Sequence, residues 1–403
     1  VLLMAVCTGL SVASVYYSQP LLAEIRRSLH MSTGTAGLIV SVTQVGYIAG
    51  LSLLVPLGDL FARRRLIPLM LAGAAACLAL IAVAPSPAVL LVGCVLVGSL
   101  SVGAQITVAL AATLAPEEQR GQVVGTIMSG LLLGILLART AAGYLAQLGG
   151  WRTPYWTAAG VMLLLSWVML AKLPADPSRP SLRYSQLLAS TVSILREERV
   201  LRLRSAYGAL AFAAFSVLWT PLAFMLSSAP YHYSAGTIGL FGLLGVAGAL
   251  SASFAGRFAD RGRAGLMTGV TAVVLLASWA LIALGRHSLP LLIGGVIALD
   301  FATQGLHITN QSQIYRLRPE ARSRITSAYM SLYFLGGVAG SVSAADAYAR
   351  GGWAAVSVVG AAFSATAVLL WGVATTTATR SPNATRPIRA ALIGEKCPRT
   401  EGR

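Results

Sequence analysis

Asp300 lies in the stretch 290–310, where the other residues are apolar or uncharged apart from one histidine. Gln304, His307 and Gln311 follow it at i+4, i+7 and i+11. On a helix these four residues form one stripe. A carboxyl group that moves between dry surroundings and wet or cation-lined ones changes its proton occupancy, so Asp300 is the candidate proton-exchanging group. His307 beside it can relay a proton or bind a solute, because an imidazole titrates near neutrality. Arg139 is a second isolated charge, inside the apolar stretch 122–148. It can take part in proton coupling, contact an anionic substrate, or form a fixed buried pair with an acid such as Asp300. That pair is the structural alternative for Asp300, as a satisfied structural histidine is for His307.

Other chemistries find little support. Cys7, Cys77, Cys94 and Cys397 have no metal-ligand spacing, and three of them lie in apolar stretches where a thiol packs as a small apolar side chain. The chain has no Gly-x-x-x-x-Gly-Lys run and no nucleophile elbow. The expectation is a protein that is not an enzyme and needs no cofactor or metal.

The elements that must position these residues follow from composition. Hydrophobic residues make up 56% of the 403 and charged residues 11%, against about 25% charged in a soluble domain. Mean hydropathy is +0.74. The net charge of +17 sits in short clusters between apolar stretches, a pattern that orients membrane helices rather than binding nucleic acid. Apolar windows of about 20 residues, the length that crosses a bilayer, give twelve spans. Spans 1 to 6 are 1–22, 36–57, 66–84, 88–110, 122–148 and 155–173; spans 7 to 12 are 205–226, 235–255, 264–284, 290–310, 325–347 and 354–376. They form two six-helix bundles, 1–173 and 205–376, joined by a charged connector, 174–204, and followed by a basic tail, 377–403. The chain opens inside an apolar run without Met, read as a retained first span with residues expected before it.

Of the 30 Lys and Arg residues, 24 cluster at or after the ends of even-numbered spans and 5 after odd-numbered ones. The positive-inside rule then puts the connector and the C-terminus in the cytoplasm. In the connector, Leu188, Val192 and Leu195 share one helical face with charges opposite, as in a helix lying at the membrane interface.

The two halves repeat. An offset of 202 residues lays Thr35, Gly37 and Leu38 on Thr237, Gly239 and Leu240, Gly134 on Gly336, and Gly149-Gly150-Trp151 on Gly351-Gly352-Trp353. It also sets Tyr17 opposite Trp219 and Gln105 opposite His307. Six spans per copy mean parallel repeats, with a site expected between them near the midplane.

The loop after span 2 reads Val55-Pro-Leu-Gly58-Asp59-Leu-Phe-Ala62-Arg63-Arg64-Arg65. Its echo after span 8 is Gly256-Arg-Phe-Ala-Asp260-Arg261-Gly262-Arg263. With these loops, the chain over 1–376 resembles the major facilitator superfamily, in its twelve-helix drug:proton antiporter-type efflux branch. The resemblance implies an all-α membrane fold of two pseudo-symmetric six-helix bundles, in which spans 1, 4, 7 and 10 line a central cavity. It assigns Asp59, Arg63, Arg64, Gly256, Asp260 and Arg261 to cytoplasmic gating loops. Tyr17, Gln105, Trp219, Gln304 and Gln311 become candidate cavity residues. Span 5 departs from the branch: its Gly-rich run, Gly134 to Gly143, carries Arg139 where a Pro is usual. Span 4 has no counterpart of the branch's coupling Arg, and span 1 carries Tyr16-Tyr17-Ser-Gln19-Pro20 as in a sub-branch of efflux permeases.

The expected function is export of a small-molecule organic solute in exchange for protons, by alternating access, across the inner membrane of a bacterium. The protein would act as a monomer in the lipid bilayer. Uptake or facilitated exchange on the same fold is the first alternative; a membrane sensor or membrane-embedded enzyme is a more distant one.

Overall fold

A computed structural model describes residues 1–403 except 117–118, 175–183, 249, 252–254, 256–257, 259–261, 319–320 and 381–403. The side chains of residues 59, 120–121, 185, 187, 322–323 and 377–380 also lie outside that description. Among the described residues the regular structure is helical, with no strand.

Nine stretches of the described residues are helices long and apolar enough to cross a bilayer. The last, Arg324–Thr376, is two helices that meet at Gly352, whose φ of 60° no helix contains. Two shorter apolar helices, Leu2–Ala13 and Ala235–Gly248, stand at spans 1 and 8. Together these account for the twelve spans. The connector contributes the helix Tyr184–Glu197, and the helix of span 7 begins before the apolar window, at Arg199. On the connector helix Leu188 and Leu195 are half-buried and Val192 is exposed.

Among the described residues spans 1, 4 and 7 are interrupted by non-helical turns, and span 8 passes from α-helix into a 3-10 stretch at Phe241–Gly245. Span 1 is helical over Leu2–Ala13, turns through Ser14 to Ser18 and ends in a short 3-10 turn at Gln19–Leu21; the separate short helix Leu22–Ser28 follows it. Span 4 runs as Pro87–Leu100 and Gly103–Leu114, with Ser101 and Val102 between. Span 7 ends its long helix at Trp219 and restarts at Leu222 after Thr220 and Pro221. Proline lacks the amide hydrogen that a helix interior needs, which explains the break in span 7 and the tight turn at Pro20. In spans 1 and 4 the hydroxyls of Ser14 and Ser101 bond back to the carbonyls of Ser11 and Val97, a local alternative that loosens a helix.

The duplication is visible in backbone detail. Span 2 starts at Ser32, whose hydroxyl caps the helix by accepting from the amide of Thr35; 202 residues later Ser234 caps span 8 through the amide of Thr237. His30 and His232, two residues before each cap, both have φ of 51°. Gly150 and Gly352, between the last two spans of each copy, have φ of 82° and 60°, a region that disfavours any side chain.

Cα packing divides the chain into two compact units. The first holds Val1–Ser190, Trp219–Leu243 and Ser341–Gly352; the second holds Thr191–Leu218, Leu244–Gly340 and Trp353–Arg403. In the first unit, spans 1 and 5 approach backbone to backbone, so that a Cβ on Gly134 would run into the carbonyl of Gly9. Small residues at such crossings replace the hydrophobic driving force that lipid surroundings remove. In the second unit a Cβ on Gly336, the repeat partner of Gly134, would run into the carbonyl of Ala209 on span 7.

Candidate functional site

In the first unit the broken end of span 1 supplies Tyr16 and Gln19, span 5 supplies Arg139, and the end of span 7 supplies Trp219. Arg139 is 3% exposed. Its Nε donates to Oε1 of Gln19 at 2.5 Å, its guanidinium carbon stands 3.9 Å from the ring centroid of Trp219, and it stands 4.9 Å from that of Tyr16. The amide fixes one edge of the guanidinium plane, and the two rings offer their negative faces to the cation. Gln19, Pro20, Arg139, Trp219, Leu222, Ala223 and Ile238 surround a cavity of about 10 Å³ beside it, room for one water molecule. The backbone around Arg139 is held closely too: Thr140 donates its hydroxyl to the carbonyl of Gly239 at 2.9 Å.

The sequence reading singled out Tyr17 and Trp219 as cavity aromatics. Trp219 meets Arg139, but the span 1 aromatic that joins it is Tyr16; Tyr17 is also buried. Gln19, from the same Tyr16-Tyr17-Ser-Gln19-Pro20 motif, is the direct partner of the arginine. Gln105 is half-buried on span 4 and donates from Nε2 to the hydroxyl of Tyr47 on span 2 at 3.3 Å. Between spans 1 and 4, Ser14 and Ser101 bring their hydroxyls to 2.8 Å.

The second unit holds the stripe on span 10. Asp300 is 3% exposed, the twelfth residue of the helix Leu289–Ile314. Gln304, His307 and Gln311 are half-buried along the same helix. Gly248 of span 8 packs against Gln304 and the carbonyl of Asp300, where a side chain would not fit. Nδ1 of His307 lies 3.0 Å from the hydroxyl of Tyr329 on span 11, and its ring centroid lies 4.7 Å from that of Tyr333. Tyr333 in turn stacks on Phe212 of span 7 at 4.2 Å, and Phe215 and Phe334 complete the group around Phe212. The sequence reading missed this aromatic cluster. Its available signal was the i+4 spacing of Tyr329 and Tyr333, which places two phenols on one face of span 11.

A second buried cation, Arg204, also went unrecognised because it falls at the edge of the connector in the sequence. It is 2% exposed and donates to the hydroxyl of Thr268 on span 9 at 2.8 Å.

At the loop after span 2, Arg63 is buried, unlike its neighbour Arg64, which is exposed. Nε of Arg63 donates to the carbonyl of Gly58 at 2.8 Å, and Nη1 to the hydroxyl of Thr113 at 3.3 Å, tying the loop to the end of span 4. The side chain of Asp59 lies outside the described residues, as do Gly256, Asp260 and Arg261 of the second loop.

An all-helical chain with broken spans, a capping pattern repeated at 202 residues and isolated buried charges has the features of a transport protein. The profile of the Major Facilitator Superfamily matches residues 4–341. The chain belongs to that superfamily. Its relatives include "Uncharacterized transporter YgaY" of Escherichia coli O157:H7, 51% identical over 92% of this chain and 94% of the relative. Another is "Probable transporter SCO4007" of Streptomyces coelicolor, 32% identical over 90% of this chain and 84% of the relative. The crystal structure of a bacterial homologue of the human lysosomal transporter Spinster, inward-facing and occupied, matches with a TM-score of 0.77 at 13% identity, covering 93% of this chain and 96% of that one. That likeness speaks for the fold alone. The protein is a multi-pass membrane transporter of the Major Facilitator Superfamily, with the all-α fold of twelve spans that the superfamily shares.

Proposed function

We propose that this transporter exports a small organic solute in exchange for protons, with Asp300 as the exchanging carboxylate. The observation that supports this reading is the placement of Asp300. It is a 3% exposed acid in the middle of a membrane helix, followed by three half-buried polar side chains on one stripe. A charged group at that depth costs about 2.5–3.5 kcal/mol on insertion scales, so an acid kept there is by default a functional group. In alternating access Asp300 takes a proton in one setting and yields it in the other, and solute binding competes with the protonated state. His307, hydrogen-bonded to Tyr329 and two turns along the stripe from Asp300, is the relay, and Gln304 and Gln311 line the solute path. Gln105, Tyr17 and Trp219 are its counterparts elsewhere in the chain. Arg139 provides the fixed positive charge of the coupling machinery.

In this reading the two six-helix bundles are 1–173 and 205–376, with the connector and the tail on the cytoplasmic side of a bacterial inner membrane. Asp59, Arg63 and Arg64, with Gly256, Asp260 and Arg261 in the second copy, are the cytoplasmic gating loops. A monomer suffices.

The test is substrate-induced proton movement in energised inside-out vesicles, with solutes screened against the parent and Asp300→Asn. Collapse of the pH gradient by a solute with the parent but not with the variant supports antiport through Asp300. Equal transport by both proteins without a proton signal makes the carboxylate structural and the protein a facilitator, or a carrier coupled to another ion.

A further inference from the structure

The surroundings of Arg139 combine two features that structural packing alone does not require. The guanidinium plane is held in one orientation, by the amide of Gln19 on its Nε edge and by the ring faces of Trp219 and Tyr16. The terminal nitrogens of a plane so held match a carboxylate bidentately, with two parallel N–H···O bonds. The adjoining cavity has a composite wall: Gln19 and the arginine on one part, and Pro20, Leu222, Ala223 and Ile238 on the rest. A polar anchor beside an apolar wall is the form of a site for a small ligand with a charged head and an apolar body. At about 10 Å³ the cavity admits no such ligand while Trp219 stays 3.9 Å from the guanidinium. Trp219 is also the last residue of its helix, directly before the Thr220-Pro221 break, so its indole can be displaced by a change at the break while the long helix stays intact.

We infer that Arg139 is the binding group for the carboxylate, or a similar anionic head, of a small organic solute with an apolar body, and that Trp219 is the lid that covers it in this conformation. The inference rests on the protein being a solute transporter, but not on proton antiport or on Asp300.

The experiment labels the full chain in lipid nanodiscs with an arginine-selective dicarbonyl and follows modification of Arg139 by peptide mass spectrometry, with no proton gradient applied. The parent should label slowly at Arg139. Trp219→Ala should label roughly tenfold faster, on the scale set by losing one desolvated ring face. In that variant benzoate or hexanoate should slow the labelling several-fold, and benzamide or hexanamide should not. Trp219→Leu and Tyr16→Leu serve in the same way if the alanine variant does not give a monodisperse protein. Labelling of Arg139 that stays slow in every opened variant overturns the lid. Labelling that neither carboxylate slows, or that the amides slow equally, overturns the anion site. Antiport through Asp300 is decided separately, by the vesicle assay.

Discussion

The hydroxyls of Ser14 and Ser101 stand 2.8 Å apart, joining the break in span 1 to the break in span 4. Each also lies 2.7 Å from a carbonyl of its own helix, Ser14 from Ser11 and Ser101 from Val97. Two hydroxyl protons serve three contacts, so one contact always goes without a hydrogen. Removing either hydroxyl therefore leaves the other fully bonded to its own helix. Ser14→Ala and Ser101→Ala should each cost no more than about 1 kcal/mol, and the double variant should show a coupling of about 0.6 kcal/mol, the usual size between membrane helices. Unfolding in detergent across the four-member cycle measures it. A coupling near zero would mean that the bridge holds nothing.

Gly134 and Gly125 sit on the same span in opposite situations. A Cβ at Gly134 meets the backbone of Gly9, whereas a Cβ at Gly125 meets nothing within 4 Å. Gly134→Ala must push spans 1 and 5 apart, at a cost of about 1–3 kcal/mol as in other overpacked interiors. Gly125→Ala should leave stability unchanged or raise it by up to about 1 kcal/mol through helix propensity. Thermal unfolding of both variants gives the comparison, and equal effects would show that the close crossing contributes nothing.

The bond between His307 and Tyr329 joins spans 10 and 11 within the second unit. Tyr329 is fully buried, so Tyr329→Phe leaves the imidazole nitrogen without this partner and should cost about 1–2 kcal/mol. Replacing both members by apolar rings removes the unmet group together with the bond. Tyr329→Phe combined with His307→Phe should therefore be less destabilised than the sum of the two single variants. Strict additivity in denaturant titrations would assign the cost to packing.

Glu24 offers a test by pH outside the spans. Burial pushes its carboxyl above the ordinary value, and Arg27 acts in the opposite direction to a lesser extent. Folding thus disfavours the ionised form. The residue lowers stability where it is ionised, and the penalty is relieved as pH falls through the raised folded value. Glu24→Gln should melt above the parent at neutral pH, with the gap closing near about pH 4, where an ordinary carboxylate takes up its proton. Parent and variant melting together at neutral pH would contradict the burial effect.

The fold was legible because lipid surroundings force a coarse pattern. Each span needs about 20 apolar residues, and loop charges sort by side. The repeat could be read from Gly149-Gly150-Trp151 and Gly351-Gly352-Trp353 because glycine at a positive φ is hard to replace. The helix breaks were less visible. Pro20 and Pro221 marked two of them, but serines that loosen a helix by bonding back to it look like any small membrane residue, so the break at Ser101 left no sequence signal. Asp300 and Arg139 stood out because charge is rare in a span. Their neighbours did not, because aromatic residues are common in membranes: nothing in the sequence separated Tyr16, which meets Arg139, from Tyr17 beside it, or pointed to Tyr333 with Phe212 beside His307.

The two tryptophans after the repeated glycine pairs occupy equivalent sequence positions, yet they are tied down differently. Trp353 is 2% exposed and donates from its indole to the carbonyl of Ile282 at 2.8 Å. Trp151 is 4% exposed, with Arg152 over its ring at 4.3 Å, and its indole nitrogen has no hydrogen-bond partner among the described residues. The later copy uses its ring as a donor and the earlier copy uses the bulk of the ring alone, so phenylalanine at position 353 forfeits a hydrogen bond as well as volume, whereas at position 151 it forfeits volume only.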